Sequence, residues 1–455
     1  MKIGIKSLGC PKNLVDSEVI CGILQKNNHQ ICSNVDEVDV LIINTCSFIQ
    51  DAVEESLEEI FEAIKLKEEG RIKGLVVAGC LPQRYFKNHL KQEIPEVDAF
   101  IGVGDLIKIN QVIDNIFIKN KKIDYISSVP TFLYNSTFPR FTITPLPYAY
   151  IKIAEGCDNN CSYCLIPKIR GKYRSRKIED IIKEVEIISQ KQKLREIILI
   201  AQDTTKYGWD IYGDLKLAEL LKRISSLPLK DLKWIRLLYT HPAHYTPQLI
   251  EVIGESSKIV PYLDLPLQHI NDEILGKMNR TVSRKEILTL IKRLRKEIPQ
   301  LVLRSTFMVG FPGEDKQKFT ELINFIKEVR WEKLGAFIFS PEEGTPAYRF
   351  TPRIPKKKKL ERLEKLMLVQ QEISREINQT YLGKEIEVLV EEATKEKSGF
   401  ILGRSAFDAP EIDGKVIIKS DKLKIGEMIK VKITSTLEYD LIGEPIEEDN
   451  KVINY

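Results

Sequence analysis

Three hydrophobic patterns follow one another along the chain. Over residues 1–118, short apolar runs stop abruptly and give way to amphipathic stretches. The runs are "MKIGIKSLGC", "VDVLIINTC", "IKGLVVAGC" and "DAFIGVGD", and "DAVEESLEEIFEAIKLKEE" is typical of the helical stretches between them. Strands that are apolar throughout suit a parallel sheet covered on both faces. Alternation with helices predicts parallel β/α units. A small parallel α/β domain is expected over 1–118, then a linker over 119–142.

The second pattern repeats this logic over 143–374. Six strand-like runs appear: "YAYIKIAEG", "REIILIAQD", "LKWIRLLYT", "PYLDLPL", "LVLRSTFMVGF" and "LGAFIFSP". Helical patterns such as "KIEDIIKEVEIISQ" and "SRKEILTLIKRLRKEI" separate them. A basic stretch, "PRIPKKKKLERLEKLMLVQQEISREINQ", follows and reads as a solvated charged helix. From Gly383 the pattern shortens to "KEIEVLVEE", "GFILGRS", "GKVIIKS" and "EMIKVKITSTLEYDLIGE", with Gly, Asp and Pro in the turns. A five-stranded antiparallel barrel of OB-like type is expected over 376–446.

Composition narrows the class. At 455 residues the chain is too long for one ordinary domain. With 43% hydrophobic and 29% charged residues it is globular. A net charge of +4 is small for this size and gives no general reason to expect a nucleic-acid partner. The opening "MKIGIKSLGCPKN" lacks a signal peptide's apolar stretch, and no run approaches the ~18 apolar residues of a membrane span. A cytoplasmic protein with no membrane partner is expected.

Six of the eight cysteines carry the chemistry. In a reducing compartment, clustered cysteines point to metal or catalysis rather than to disulfides. All lie at or before Cys164, leaving 291 residues without one. Cys157, Cys161 and Cys164 form a Cys-x3-Cys-x2-Cys loop directly after a predicted strand. No histidine stands near, as a closed zinc site would commonly need. Three thiolates on a four-iron cluster leave one iron open to a ligand. Cys10, Cys46 and Cys80 each end a predicted strand of the first domain, 36 and 34 residues apart. Ligands collect beyond the carboxyl ends of such strands, so these three should converge. Three thiolates and a water also suit zinc, so the metal at this second site stays open at this point. Cys21 and Cys32 read as small buried apolar residues and are left out of both sites.

These motifs resemble a known family. The loop "GCDNNCSYC", with Tyr163 before its last cysteine, is similar to the cluster loop of the radical S-adenosylmethionine (SAM) enzymes. "FMVGFPGE" resembles their glycine-rich SAM-contact motif and brings in Gly310 and Glu314. The whole chain resembles the radical-SAM methylthiotransferases through "SLGCPKNLVDSE", "INTCSFI", "YIKIAEGCDNNCSYCLIPKIRGKYRSR", "PYLDLPLQHINDEILGKMNR" and "GRSAFDAPEIDG". One departure is Ser47, where the family pattern has Gly.

The resemblance implies an open (β/α)6 radical-SAM barrel between a cluster-bearing N-terminal domain and a C-terminal TRAM barrel. It implies two 4Fe-4S clusters, one on Cys157, Cys161 and Cys164 and an auxiliary one on Cys10, Cys46 and Cys80. SAM would serve as radical source and methyl donor, with Tyr163, Gly310 and Glu314 in its region. An external electron donor and a sulfur source are required. Within the family the motifs resemble the branch that methylthiolates the β-carbon of an aspartate in small-subunit ribosomal protein S-twelve. The same chemistry on tRNA is the alternative; a non-enzymatic iron–sulfur protein that binds nucleic acid is a remote one. Charge favours the protein substrate. Residues 383–446 hold 10 Lys/Arg and 13 Asp/Glu, net −3, where a tRNA-holding barrel should be basic. Asp408, Glu411 and Asp413 are expected to form an acidic edge that attracts a basic ribosomal protein.

Overall fold

A computed structural model describes residues 1–86, 89–119, 121–143, 147–393, 399–420 and 422–446. The three predicted domain spans and the linker each cross a few residues outside this set.

The first domain is a five-stranded, all-parallel sheet. Its order is Gln30–Ile31, Lys2–Ser7, Val40–Thr45, Gly74–Gly79, Ala99–Gly102. The four strands expected from the apolar runs are present. The two-residue strand Gln30–Ile31 has no run long enough to signal it. The strand order reverses between Lys2–Ser7 and Val40–Thr45, so the loops bearing Cys10 and Cys46 flank the switch point where such sheets bind ligands.

The central domain has six parallel strands lying side by side in chain order: Tyr148–Lys152, Glu196–Ile200, Trp234–Leu237, Ile259–Asp264, Val302–Val309 and Lys333–Ile338. The first and last strands do not pair, so the barrel is open. Its outer core packs sheet against helices through residues such as Ile197, Leu263, Phe307 and Trp331. The basic stretch is not a solvated helix. Lys356–Gln379 lays Leu366 and Ile373 into that outer core, because its apolar positions recur on one face despite the lysine run.

The inner face of the sheet supplies a second core. Tyr148, Tyr150, Trp234 and Tyr262 pack there against Val15 and Val19 of helix Pro11–Lys26 and against Leu389 and Ala409 of the last domain. Both end domains therefore plug the open barrel.

The last domain is a closed five-stranded barrel. Four of its five seams are antiparallel, while Val416–Lys419 and Leu441–Pro445 run parallel. The expected all-antiparallel barrel is corrected at that seam, because the fifth strand must return beside the third to close the cylinder. No helix among the described residues is long and apolar enough to cross a membrane.

The predicted acidic edge is also corrected. Asp408 pairs with Lys333 and accepts from the Ser405 hydroxyl. Asp413 accepts from the Tyr262 hydroxyl at 2.6 Å and lies 3.6 Å from Arg304. Lys333, Tyr262 and Arg304 all belong to the central barrel, so both acids hold two domains together. Only Glu411 faces solvent.

Candidate active site

Cys157, Cys161 and Cys164 sit at the carboxyl end of the first barrel strand. The strand passes into a small antiparallel ribbon, Ala154–Glu155 against Arg174–Ser175, which frames the loop. Gly156 turns the chain out of the ribbon with φ +75°. A Cβ there would stand 2.2 Å from the Lys172 carbonyl oxygen, so only glycine fits. The Cys157 amide donates to the Gly171 carbonyl (3.1 Å) and the Cys164 amide to that of Cys161 (3.1 Å). The Asn159 amide donates to Cys157 Sγ (3.4 Å), an interaction that favours a thiolate. The far side is anchored by Ser162, whose amide and hydroxyl donate to the carbonyls of Met278 and Lys277. Burial pushes the Cys157 and Cys164 thiols up to about 12.

Cys10, Cys46 and Cys80 form the other triple and lie near enough to act on one another's charge. Gly9 presses its backbone against Cys46. A Cβ on Gly9 would lie 2.8 Å from Cys46 Sγ, and its φ of +81° excludes most side chains. The Asn13 side-chain amide donates to the carbonyls of Leu8 (3.0 Å) and Thr45 (2.9 Å) and ties two of the loops together. Burial raises Cys80 to about 12, and raises Cys46 too. Cys10 differs: burial pushes it up, but Lys12 and then Arg170 more than offset this, and its thiol lies below the ordinary value. Cys21 is fully buried in helix Pro11–Lys26, and Cys32 is partly buried against the sheet core, so neither joins the triple. Ser47, at the departure from the family pattern, is buried, and its carbonyl accepts from Arg84 (2.7 Å). Each triple offers three thiols with no histidine or carboxylate among their hydrogen-bond partners in the described residues. Such sets fit iron–sulfur ligation with one open iron.

The two triples share a wall. Cys80 packs with Val103, Leu165 and Ile169, and Leu165 directly follows Cys164. Arg170, 1% exposed, reaches from this segment across the domain boundary. It donates to Asp16 (3.1 Å), Glu155 (3.0 Å), Asn13 and Cys80 Sγ (3.6 Å). Lys152 completes the network with Asp16 and, at 2.7 Å, Glu155.

Further groups line the barrel mouth. Asp203 follows the second strand and is buried with both oxygens filled. It accepts from Thr205 (2.7 Å) and the Lys206 amide on one side, and from Asn159 (2.9 Å) on the other. His244 Nδ1 lies 2.8 Å from that second oxygen, and His241 stands beside it. The saturated carboxylate makes this trio a hub that steadies the cluster loop through Asn159. Burial drives the His241 pKa down to about 3, so this ring is neutral. Arg280 donates to the Tyr163 hydroxyl (3.3 Å) and the Pro266 carbonyl (2.7 Å).

Of the residues expected near SAM, Tyr163 lies in the cluster loop and packs against an aromatic group that includes Phe311, Phe339 and Phe350. Gly310 holds φ +77° and leaves room for the Lys359 stem. Glu314 is fully buried. It accepts from the Gly310 amide (3.1 Å) and pairs with Arg362, with His269 Nε2 3.4 Å away. It locks the turn and ties it to the last helix. Sequence reasoning passed over Lys12, Arg170, Asp203 and Arg280. Lys12, Arg170 and Arg280 lie inside the quoted motifs, but nothing in their spacing showed that they converge.

Comparison with known proteins places each region. Residues 151–326 match the Radical SAM superfamily, residues 2–102 the Uncharacterized protein family UPF0004, and residues 382–446 the TRAM domain. A protein of Desulforamulus reducens named ribosomal protein uS12 methylthiotransferase RimO is 49% identical over 97% of this chain and 99% of its own length. A protein of Clostridioides difficile with the same name is 45% identical over 98% of this chain and 99% of its own. Among solved structures, the radical S-adenosylmethionine methyltransferase TsrM from Kitasatospora setae superposes with a TM-score of 0.54 at 11% identity, over 84% of this chain and 75% of that one. That likeness is one of fold.

Proposed function

Because the chain belongs to the RimO family of ribosomal protein uS12 methylthiotransferases, we propose that it replaces one hydrogen on the β-carbon of an aspartate of uS12 by a methylthio group, in the cytoplasm. The observation that carries this reading is the pair of three-cysteine sites that share one wall at the barrel mouth.

Cys157, Cys161 and Cys164 would hold one 4Fe-4S cluster, and Cys10, Cys46 and Cys80 the other. When bound, the barrel cluster and SAM supply hydrogen abstraction, the auxiliary cluster supplies sulfur, and a second SAM the methyl group. This chain's residues position those groups. Gly156 and the ribbon set the Cys157 loop, and Asp203 holds Asn159 against it. Gly9 and Asn13 draw the auxiliary loops together. Arg170 and Lys152 fix one site relative to the other across the boundary. Tyr163 and the backbone of the Gly310 turn would contact SAM, with Glu314 shaping that turn rather than touching the cofactor. The buried aromatic group around Phe311 keeps water from the mouth.

Substrate choice is tested by incubating reconstituted enzyme, SAM and a reductant with either a uS12 peptide or unmodified tRNA. A methylthio mass gain on the peptide is expected. Gain on the tRNA alone overturns the reading.

A further inference from the structure

Lys12 is placed against every ordinary preference of a lysine. It is 4% exposed. It occupies the second position of helix Pro11–Lys26, where the helix dipole disfavours a cation. Its ammonium stands 3.3 Å above the centroid of the Tyr239 ring, and its one hydrogen bond is a long 3.5 Å contact to the Ala201 carbonyl. No carboxylate lies within ion-pair reach among the described residues. Burial disfavours its charged form, Cys10 is the neighbour that favours it most, and the two carboxylates that add to this are engaged elsewhere. Glu155 holds Lys152 and Arg170, while Asp264 holds Arg304 at 2.8 Å and the Tyr239 amide at 2.9 Å.

The platform beneath it is built and strained. Tyr239 follows the third barrel strand at φ +61°, a left-handed conformation that a bulky residue adopts only when its surroundings impose it. Asp264 accepts from its amide, and its carbonyl accepts from the Thr204 amide at 3.0 Å. Ala201 and Tyr239 lie at the carboxyl ends of two barrel strands, and Lys12 comes two residues after Cys10. The ammonium is thus presented at the barrel mouth beside the auxiliary triple, with donors to spare.

We propose that Lys12 is the specificity-determining cation that receives the side-chain carboxylate of the target aspartate, with the Tyr239 ring fixing the ammonium in place. This rests on the function proposed above and adds the residue that would recognise the substrate's charge. A carboxylate bound here completes a buried ion pair and also faces the positive end of helix Pro11–Lys26. The competing role is a counter-charge to Cys10 alone, which would be indifferent to the substrate's side chain.

The test uses reconstituted holoenzyme and two labelled peptides of the uS12 loop, one with the target aspartate and one with asparagine there. A charged hydrogen bond contributes about 1.5–3 kcal/mol, so wild type should bind the aspartate peptide about tenfold tighter or more. Lys12→Met should bring the two affinities within about twofold, and Lys12→Arg should keep the preference. Equal binding by wild type, or a preference that survives Lys12→Met, overturns the proposal. If Lys12→Met loses its iron, Lys12→Gln takes its place: it must lose the preference for aspartate that wild type and Lys12→Arg keep, and a preference that survives in it overturns the proposal. Product formation is scored separately. A wild type that methylthiolates the peptide without discriminating sinks only the role of Lys12. One that discriminates yet forms no methylthio product sinks only the reaction.

Discussion

Replacing Arg170 by methionine should loosen the first domain from the barrel. The guanidinium is 1% exposed and joins Asp16 and Asn13 of one domain to Glu155 of the other, with Cys80 Sγ at 3.6 Å. Methionine fills a similar length without charge. Removing one partner of a buried ion pair costs about 3–5 kcal/mol, because the remaining charge loses its compensation. Here Lys152 stays in contact with both Asp16 and Glu155, which places the cost near about 3 kcal/mol. That is a factor of about 100 in the docked-to-undocked ratio. Amide hydrogen exchange reads it directly: protection of helix Pro11–Lys26 should fall by about that factor, with the barrel strand Glu196–Ile200 much less affected. The amount of methylthio product per SAM cleaved should fall as well, since the two cysteine sites no longer hold their relation. Unchanged protection in Pro11–Lys26, within about fivefold, together with an unchanged product ratio, would mean that Arg170 does not dock the first domain on the barrel.

Four other substitutions probe separate parts of the protein. Gly156→Ala forces a Cβ to 2.2 Å from the Lys172 carbonyl at φ +75°, so it should lower iron bound at the Cys157 loop and SAM cleavage together, as measured by iron content and product analysis. Glu196→Gln leaves Arg236 and Arg404 buried without their shared carboxylate, so it should destabilise the docked TRAM barrel by about 3 kcal/mol in urea unfolding. Burial alone would raise the Glu196 pKa, but Arg236 and Arg404 hold it below the usual value. Its contribution is therefore fully present above the unfolded carboxylate value of about 4 and is lost as pH falls from there through the lower folded-state value, so the variant should show a shallower acid slope over that window. Cys21→Ala and Cys32→Ala should leave iron content and activity unchanged, because the first is fully buried in a helix and the second packs against the sheet core.

The strands that carry cysteines were legible because each is a continuous apolar run, and a strand's end fixes where the next residue points. Those strand ends placed Cys10, Cys46 and Cys80 at one edge of the sheet, while the Cys157 loop was marked by its Cys-x3-Cys-x2-Cys spacing. Gln30–Ile31 was not legible, since two residues give no period. The parallel seam of the last barrel depends on how the cylinder closes, which no local pattern records. The Asp408 and Asp413 ion pairs were misread as a free edge for a related reason. Their partners Lys333 and Arg304 stand more than 70 residues away in the chain, and composition treats every acid as solvated. Lys12 and Arg170 sat in plain view inside recognisable motifs. Their meaning lies in what they lack or join across a domain boundary, and only three-dimensional packing shows that.

Two separate cysteine triples would hold two clusters with divided labour. The most direct measurement counts iron and sulfide, with electron paramagnetic resonance, in anaerobically reconstituted wild type and in two triple Cys→Ala variants. Wild type should hold about eight irons, four for each cluster. The variant lacking Cys157, Cys161 and Cys164 should hold about half and cleave no SAM. The variant lacking Cys10, Cys46 and Cys80 should also hold about half, still cleave SAM, and form no methylthio product. Full iron in either variant, or methylthio product from the second, would contradict the claim.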